Sequence, residues 1–310
     1  MHTILGANGV IAQELSRALV ASSPNIRQVG RNPRKVNPTD ETVVGDLLDA
    51  QATANAVSGS EAVYLVAGLK YEATVWQEQW PQVMRNVMDA CKQHGARLVF
   101  FDNVYAYGRV DGLMTESTPF NPISKKGEVR AKVATMLLDE MSRGNLRAMI
   151  VRAADFYGPG AVNSFPHSVV FERLKAGKMP QWIGNPKTVH TFTFTPDAGH
   201  AVAVLGRSAE AYGQTWHLPT TKEPLSGADF VRLACELAAQ PDKLQVAPRW
   251  MLKLMGIFIP MLRENEEMMY QFEHNYRFDS SKIASAFGLQ ATPYRSGISE
   301  SLRIETRYPV

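Results

Sequence analysis

Six short apolar runs punctuate the first half of the chain: HTIL, IRQV, ETVV, EAVYLV, RLVFF and RAMIV. They are rich in β-branched and aromatic residues, and most are nearly continuous in apolar character instead of strictly alternating. That pattern predicts strands covered on both faces of a sheet. Segments of helical period separate them, among them Val10 to Ala21 and Val75 to His94. The alternation predicts an α/β fold, a doubly wound parallel sheet with helices on both sides. After about Val151 the rhythm loosens into YGPGAVNSFPHS and GNPKTVHTFTFTPDAG, followed by a mostly helical final third. The expected organisation is a first domain over 1–151 and a smaller C-terminal α/β substrate lobe over 152–310, some of whose segments return to the first domain. Ligands of open α/β sheets bind beyond the carboxyl ends of the strands, so the chemistry should collect there.

Composition narrows the function classes. Of 310 residues, 45% are hydrophobic and 20% charged, which predicts a chain folded throughout. A net charge of +3 from 33 basic and 30 acidic side chains provides no basic stripe, so no nucleic acid partner is expected. Cys91 and Cys235 lie in helical patterns and read as buried, reduced thiols, and the histidines show no metal-ligand spacing, so no metal is expected. The greasiest stretch, LMGIFIPML over Leu254 to Leu262, contains Pro260 and falls well short of the roughly 20 residues of a membrane span. The chain enters its first strand at once, without a charged leader, which predicts a cytoplasmic protein with no membrane association.

The strongest local signal is GANGVIA. A turn that leaves a strand and enters a helix within a few residues needs glycine, because a Cβ would crowd the turn or keep a phosphate from the backbone. The helix start then aims N–H groups and a positive dipole end at that phosphate. Gly6, Ala7, Asn8, Gly9, Val10 and Ile11 are thus the expected dinucleotide-binding turn, with the small Ala12 allowing close helix–strand packing. After the second run, where an acidic residue ordinarily holds the adenosine ribose of NAD, the chain reads VGRNPRK. Arg31, Asn32 and Arg34, with Lys35 behind them, put positive charge where a 2′-phosphate lies, and this predicts NADP over NAD.

In their order along the chain these motifs resemble an extended short-chain dehydrogenase/reductase of the NAD-dependent epimerase/dehydratase group, and the likeness runs nearly end to end. The resemblance implies a Rossmann domain in which Asp46 and Leu47 of VVGDLLD meet the adenine and Val66, Ala67 and Gly68 of VYLVAG lie along the cofactor. NVYAYG, RAADFYGPG and TFTFTPDAGHAV, with Asp197, continue the match. Members of the family use a Tyr-x-x-x-Lys pair on the helix after the fifth strand, where the tyrosine moves the proton. Here that helix reads PISKKGEVRAK, with Lys126 in place of the tyrosine and Arg130 in place of the lysine, one helical turn apart. The family's Ser/Thr position falls on Asn103, and an asparagine of the preceding helix falls near Trp80.

A positioned proton donor is worth roughly 10² to 10⁴ in rate, so these replacements put the standard mechanism in question. Lys126, a cation crowded by Arg130, is the first candidate donor and Asp155 the second, with Asn103 polarising a substrate carbonyl. Lys126 and Arg130 are also candidates for holding the cofactor. Tyr105, Tyr157 and His190 sit on loops where they either line the cleft or serve as hydrogen-bonded core residues. The expected function is an NADP-binding oxidoreductase with an atypical active site, acting on a small, partly apolar carbonyl or hydroxyl compound. The alternative is a catalytically silent NADP(H)-sensing or partner-binding protein. The resemblance further implies a homodimer formed through the helices flanking the fifth strand.

Overall fold

The computed structural model describes residues 1–23, 25–247 and 264–303. The first half of the chain runs β1 (His2–Leu5), α1 (Val10–Val20), β2 (Ile26–Gly30), β3 (Glu41–Val44), α2 (Ala50–Val57), β4 (Ala62–Leu65), α3 (Ala73–His94), β5 (Arg97–Asp102), β6 (Leu113–Met114), α4 (Lys125–Ser142) and β7 (Ala148–Arg152). The second half continues with β8 (Asp155–Tyr157), α5 (Glu172–Lys175), β9 (Gln181–Ile183), β10 (Phe192–Phe194), α6 (Thr195–Arg207), β11 (Thr215–His217), α7 (Gly227–Leu237), β12 (Gln245–Ala247), β13 (Arg277–Phe278) and short helices over Ser281–Phe287 and Tyr294–Leu302. The chain divides into two compact units, the first made of 1–106, 125–153 and 198–218 and the second of 107–124, 154–197 and 219–310.

The first unit is built on a seven-stranded sheet of order β11-β7-β5-β4-β1-β2-β3, every pairing of which is parallel. The chain winds outward through β2 and β3, then returns to the other side of β1 for β4 and β5. The strand order therefore reverses between β1 and β4, and the loops leaving those two strands part there and open a crevice at their carboxyl ends. All six apolar runs form strands of this sheet, and β1, β4 and β7 are buried along their whole length. The seventh strand, β11, comes from the three residues TWH, too short a segment to stand out as a run. Gly199 lets α6 lie against α1: a Cβ there would come within 2.4 Å of the Glu14 Cβ.

The second unit holds three two-stranded parallel pairs, β8 with β10, β9 with β12 and β6 with β13. Its core is strongly aromatic, with Tyr157, Phe171, Trp182, Phe192, Phe230 and Tyr294 all buried. Buried rings of this size supply most of the apolar area available to a unit so poor in long strands. Both cysteines are buried free thiols, and burial pushes Cys91 up to about 12. Met268 and Met269 are buried, whereas the Leu254 to Leu262 run lies outside the described residues. No described helix is long and apolar enough to cross a membrane.

Candidate cofactor and active site

The glycine turn links β1 directly to α1. The amides of Gly6 and Ala7 both donate to the Val29 carbonyl, at 3.0 and 2.9 Å, which pins the turn to the neighbouring strand. Gly6 has φ +111°, and a Cβ on it would lie 2.4 Å from the Cα of Ala67 on the loop after β4. Only glycine permits the two loops to meet across the switch point. Gly9 caps α1 without a side-chain hydrogen bond, and the first turn carries no acidic residue. The amides and positive end of an 11-residue helix thus face the crevice with no carboxylate of the helix's own competing for them.

Asn8, at φ +74°, joins this turn to the basic loop. Its Nδ2 donates to the Asn32 carbonyl at 2.7 Å, and its Oδ1 accepts from the Arg34 amide at 3.0 Å. Arg31 and Arg34 are exposed, and among the described residues neither guanidinium makes a hydrogen bond or ion pair. The loop is fixed from below by Asp40. Its Oδ2 accepts from the Val36 and Asn37 amides, Ser16 Oγ and Gln28 Nε2 at 3.0 to 3.1 Å, while Oδ1 accepts from Asn37 Nδ2 at 3.1 Å. Burial alone would raise the Asp40 carboxyl, but the hydrogen bonds from Asn37, Gln28 and Val36 outweigh it and hold the group below the usual carboxylate range.

Farther along the same edge, Asp46 is exposed and accepts from the Leu48 amide, and the Leu47 carbonyl accepts from Asn86 Nδ2 of α3 at 2.8 Å. The Val66 amide donates to the Leu5 carbonyl at 3.0 Å, so Val66, Ala67 and Gly68 leave the sheet beside the glycine turn.

Beyond the ends of β4 and β5 stands a cluster of aromatic and cationic side chains. Asn103 is half-buried, and its Oδ1 accepts from the Tyr105 amide at 3.0 Å, which leaves its Nδ2 as the side chain's donor group. Lys126 is fully buried at the start of α4, with its Nζ 4.5 Å from the Tyr71 ring centroid. One turn on, Arg130 points into the unit. Its Nε donates to Asp102 Oδ1 at 2.7 Å, and its Cζ lies 4.5 and 4.8 Å from the centroids of Trp80 and Phe100. The other Asp102 oxygen accepts from Arg152 Nε at 3.0 Å. The sequence reading passed over Tyr71, which lies between the cofactor-loop triplet and α3. Its hydroxyl is 3.4 Å from that of Tyr105, and Trp76 packs edge-on to Tyr71 and stacks on Tyr105.

Asp155 and His190 meet in the second unit. His190 Nε2 lies 2.9 Å from Asp155 Oδ2, and Nδ1 is 3.2 Å from the Gln271 carbonyl. The imidazole is buried between the parallel rings of Phe272 and Tyr276, each with its centroid 4.5 Å away. Asp155 keeps 20% side-chain exposure, so a partly open carboxylate is backed by an immobilised ring. Tyr157 is a packing residue: it is buried among Phe192, Phe194, Phe230 and Tyr294, and that burial drives its hydroxyl well above the ordinary tyrosine range. Asp197 accepts from the Thr292 amide and hydroxyl at 2.6 and 2.8 Å. A cavity of about 260 Å³ in this unit is lined by Thr220, Lys222, Arg277, Ser280 and Gln290 among others, and no residue predicted for the site borders it. No group of metal-ligating side chains stands together among the described residues.

Residues 2–217 match the NAD dependent epimerase/dehydratase family. The chain is 27% identical over 275 residues to a 3-diazoavenalumate denitrifying reductase of a Streptomyces species, covering 83% of this chain and 87% of that protein. It is 22% identical over 275 residues to the decarboxylating sterol-4-alpha-carboxylate 3-dehydrogenase of Mus musculus, covering 84% and 75%. In fold it is similar to DesIV, a dTDP-glucose 4,6-dehydratase from Streptomyces venezuelae solved with NAD bound, with a TM-score of 0.78 and 19% identity over 98% of this chain and 96% of that one.

Proposed function

Because the chain belongs to the NAD-dependent epimerase/dehydratase family, we propose that it is an NADP-dependent oxidoreductase with an atypical active site, acting on a small, partly apolar carbonyl or hydroxyl compound. The single observation that carries the cofactor choice is the Asn8 bridge. It ties the backbone of the loop that carries Arg31 and Arg34, whose guanidinium groups are uncommitted among the described residues, to the glycine turn. A 2′-phosphate would be held there by charge-assisted hydrogen bonds, and no acidic side chain stands at the end of β2 to favour an unmodified ribose. The amides of the α1 start and the glycine turn would take the pyrophosphate, with Asp46 and Leu47 at the adenine and Val66, Ala67 and Gly68 along the remainder.

When bound, the dinucleotide supplies or accepts a hydride at its nicotinamide ring. The chain's own part is to orient the substrate and to manage charge and protons. Asn103 Nδ2 serves as donor to a carbonyl oxygen, its other amide atom being tied to the Tyr105 amide. Lys126 supplies the positive charge that stabilises oxygen as it gains electrons, and Asp155, steadied by His190, is the second candidate for moving the proton. Tyr71, Trp76 and Tyr105 give this edge of the first unit an aromatic wall suited to a partly apolar substrate. The sterol carboxylate named for one relative is a substrate of that kind. Relatives named as reductases, dehydrogenases and dehydratases support catalysis over dinucleotide sensing.

Calorimetry with NADPH and NADH tests the cofactor assignment: NADPH binds more tightly, and Arg31→Ala with Arg34→Ala removes the difference. Equal or tighter NADH binding to the unaltered protein overturns it. If Lys126→Ala and Asp155→Ala both leave NADPH-dependent turnover unchanged, the residue roles fall.

A further inference from the structure

The family's usual proton donor, the tyrosine of α4, is replaced here by Lys126, yet a tyrosine stands over that lysine from another element. We propose that Tyr71, on the loop between β4 and α3, delivers the proton to the substrate oxygen, with Tyr105 as the hydroxyl that replenishes it. The proposal rests on the oxidoreductase reading above and gives proton transfer to a residue to which that reading assigns only a packing role.

Four observations carry it. Tyr71 follows the Val66–Gly68 segment by three residues, on the loop that leaves the sheet at the switch point. Its hydroxyl lies 3.4 Å from that of Tyr105, which rises from the turn after β5. The Lys126 ammonium lies 4.5 Å from the Tyr71 ring centroid and is sealed from water, where its charge is screened little. Both tyrosines are only half-buried, and Trp76 packs against both rings.

Positive charge against the ring favours the oxyanion left when the proton departs, the service that the lysine of Tyr-x-x-x-Lys gives its tyrosine. The pairing of a tyrosine with a lysine is thus retained, with the lysine now on α4 and the tyrosine on the β4 loop. The other charged groups near Tyr71 on its own loop, Lys70 and Glu72, pair with each other at 2.6 Å, and Arg130 closes on Asp102.

In the reductive direction a hydride from the reduced nicotinamide adds to a carbonyl carbon, and the C=O π pair passes to oxygen. That oxygen forms a bond to the Tyr71 proton as the phenolic O–H breaks. The Tyr71 phenolate then takes the Tyr105 proton, and Tyr105 takes one from water. The oxidative direction runs the same transfers backwards.

The deciding experiment needs no substrate: ultraviolet titration of tyrosinate in the full-length protein. One of the 10 tyrosines ionises about one pH unit or more below the ordinary value near ~10, Tyr71→Phe abolishes that step, and Lys126→Met moves it up into the main transition. Absence of the early step in the unaltered protein, or its persistence in Tyr71→Phe, overturns the proposal. NADPH affinity measured on the same samples keeps the two readings apart. Protein that binds NADPH without the early step refutes Tyr71 alone, and protein with the step but no NADPH binding refutes the cofactor assignment alone. With ethyl acetoacetate or another reduced carbonyl probe, Tyr71→Phe lowers kcat by about 10² to 10⁴ with little change in KM. Undiminished kcat in that variant also overturns the proposal.

Discussion

Replacing Asp102 by leucine would leave two guanidinium groups buried around one missing charge. The carboxylate has no exposure, and the Arg130 and Arg152 side chains keep 4% and 2% of theirs. Removing one partner of a buried ionic cluster costs about 3–5 kcal/mol, because the remaining charge has neither solvent nor counter-ion. The rings of Trp80 and Phe100, with centroids 4.5 and 4.8 Å from the Arg130 guanidinium carbon, shield that group further from water. For a folding unit of this size each kcal/mol moves Tm by about 2–4 °C, so Asp102→Leu lowers Tm by roughly 6–20 °C. Calorimetric melting at low and high salt checks this, and the loss persists at high salt because ions do not reach the cluster. The triple variant Asp102→Leu, Arg130→Met, Arg152→Met removes all three charges of this cluster and recovers most of the stability. A drop in the single variant of under about 3 °C, or a triple variant no more stable than the single one, would refute the reasoning.

Gly6→Ala forces a Cβ to within 2.4 Å of backbone at Ala67, at a φ of +111° that side chains rarely adopt. It should weaken NADPH binding at least about tenfold, or about 1.4 kcal/mol, as read by calorimetry, and lower Tm as well. Asp40→Asn should destabilise the protein by about 1–3 kcal/mol at neutral pH and loosen the basic loop. Since the Asp40 carboxyl is held below its unfolded value, its contribution is fully present above about pH 4 and is lost as pH falls through the folded pKa. Urea denaturation of both proteins over this range should show the gap closing with acid, and an undiminished gap at the lowest pH that keeps the fold would contradict the assignment.

The central sheet was legible in the sequence because its inner strands are covered on both faces and so are nearly continuous in apolar residues, whereas the edge strand β3 is mostly exposed. HTIL and ETVV coincide with β1 and β3 end to end, and the other four runs match their strands to within a residue at each end. The glycine turn was legible for a related reason, since a chain that must reverse and approach another loop closely has few residues to choose from. β11 escaped because three residues carry no period, and its place is set by pairing with β7 after a long excursion. Tyr71 and Lys126 are 55 positions apart, and Asp155 and His190 are 35 apart. Neither spacing carries any local signature, and the pairs exist only once strands and turns have been assembled. The inward turn of Arg130 belongs to the same class: its position on the helix could be read, but its partner on another strand could not.

That inward turn limits how this protein can change. If position 126 is the family's tyrosine position, as proposed, placing tyrosine there would not by itself build the family's usual pair, because the side chain one turn later is held by Asp102 and spends its charge on folding. Recovery would demand at least two coordinated substitutions, the second of which first damages the scaffold. In the proposed register the present arrangement is therefore guarded by a ratchet of stability, and laboratory selection for a Tyr-x-x-x-Lys pair should begin at Asp102, not at the helix start.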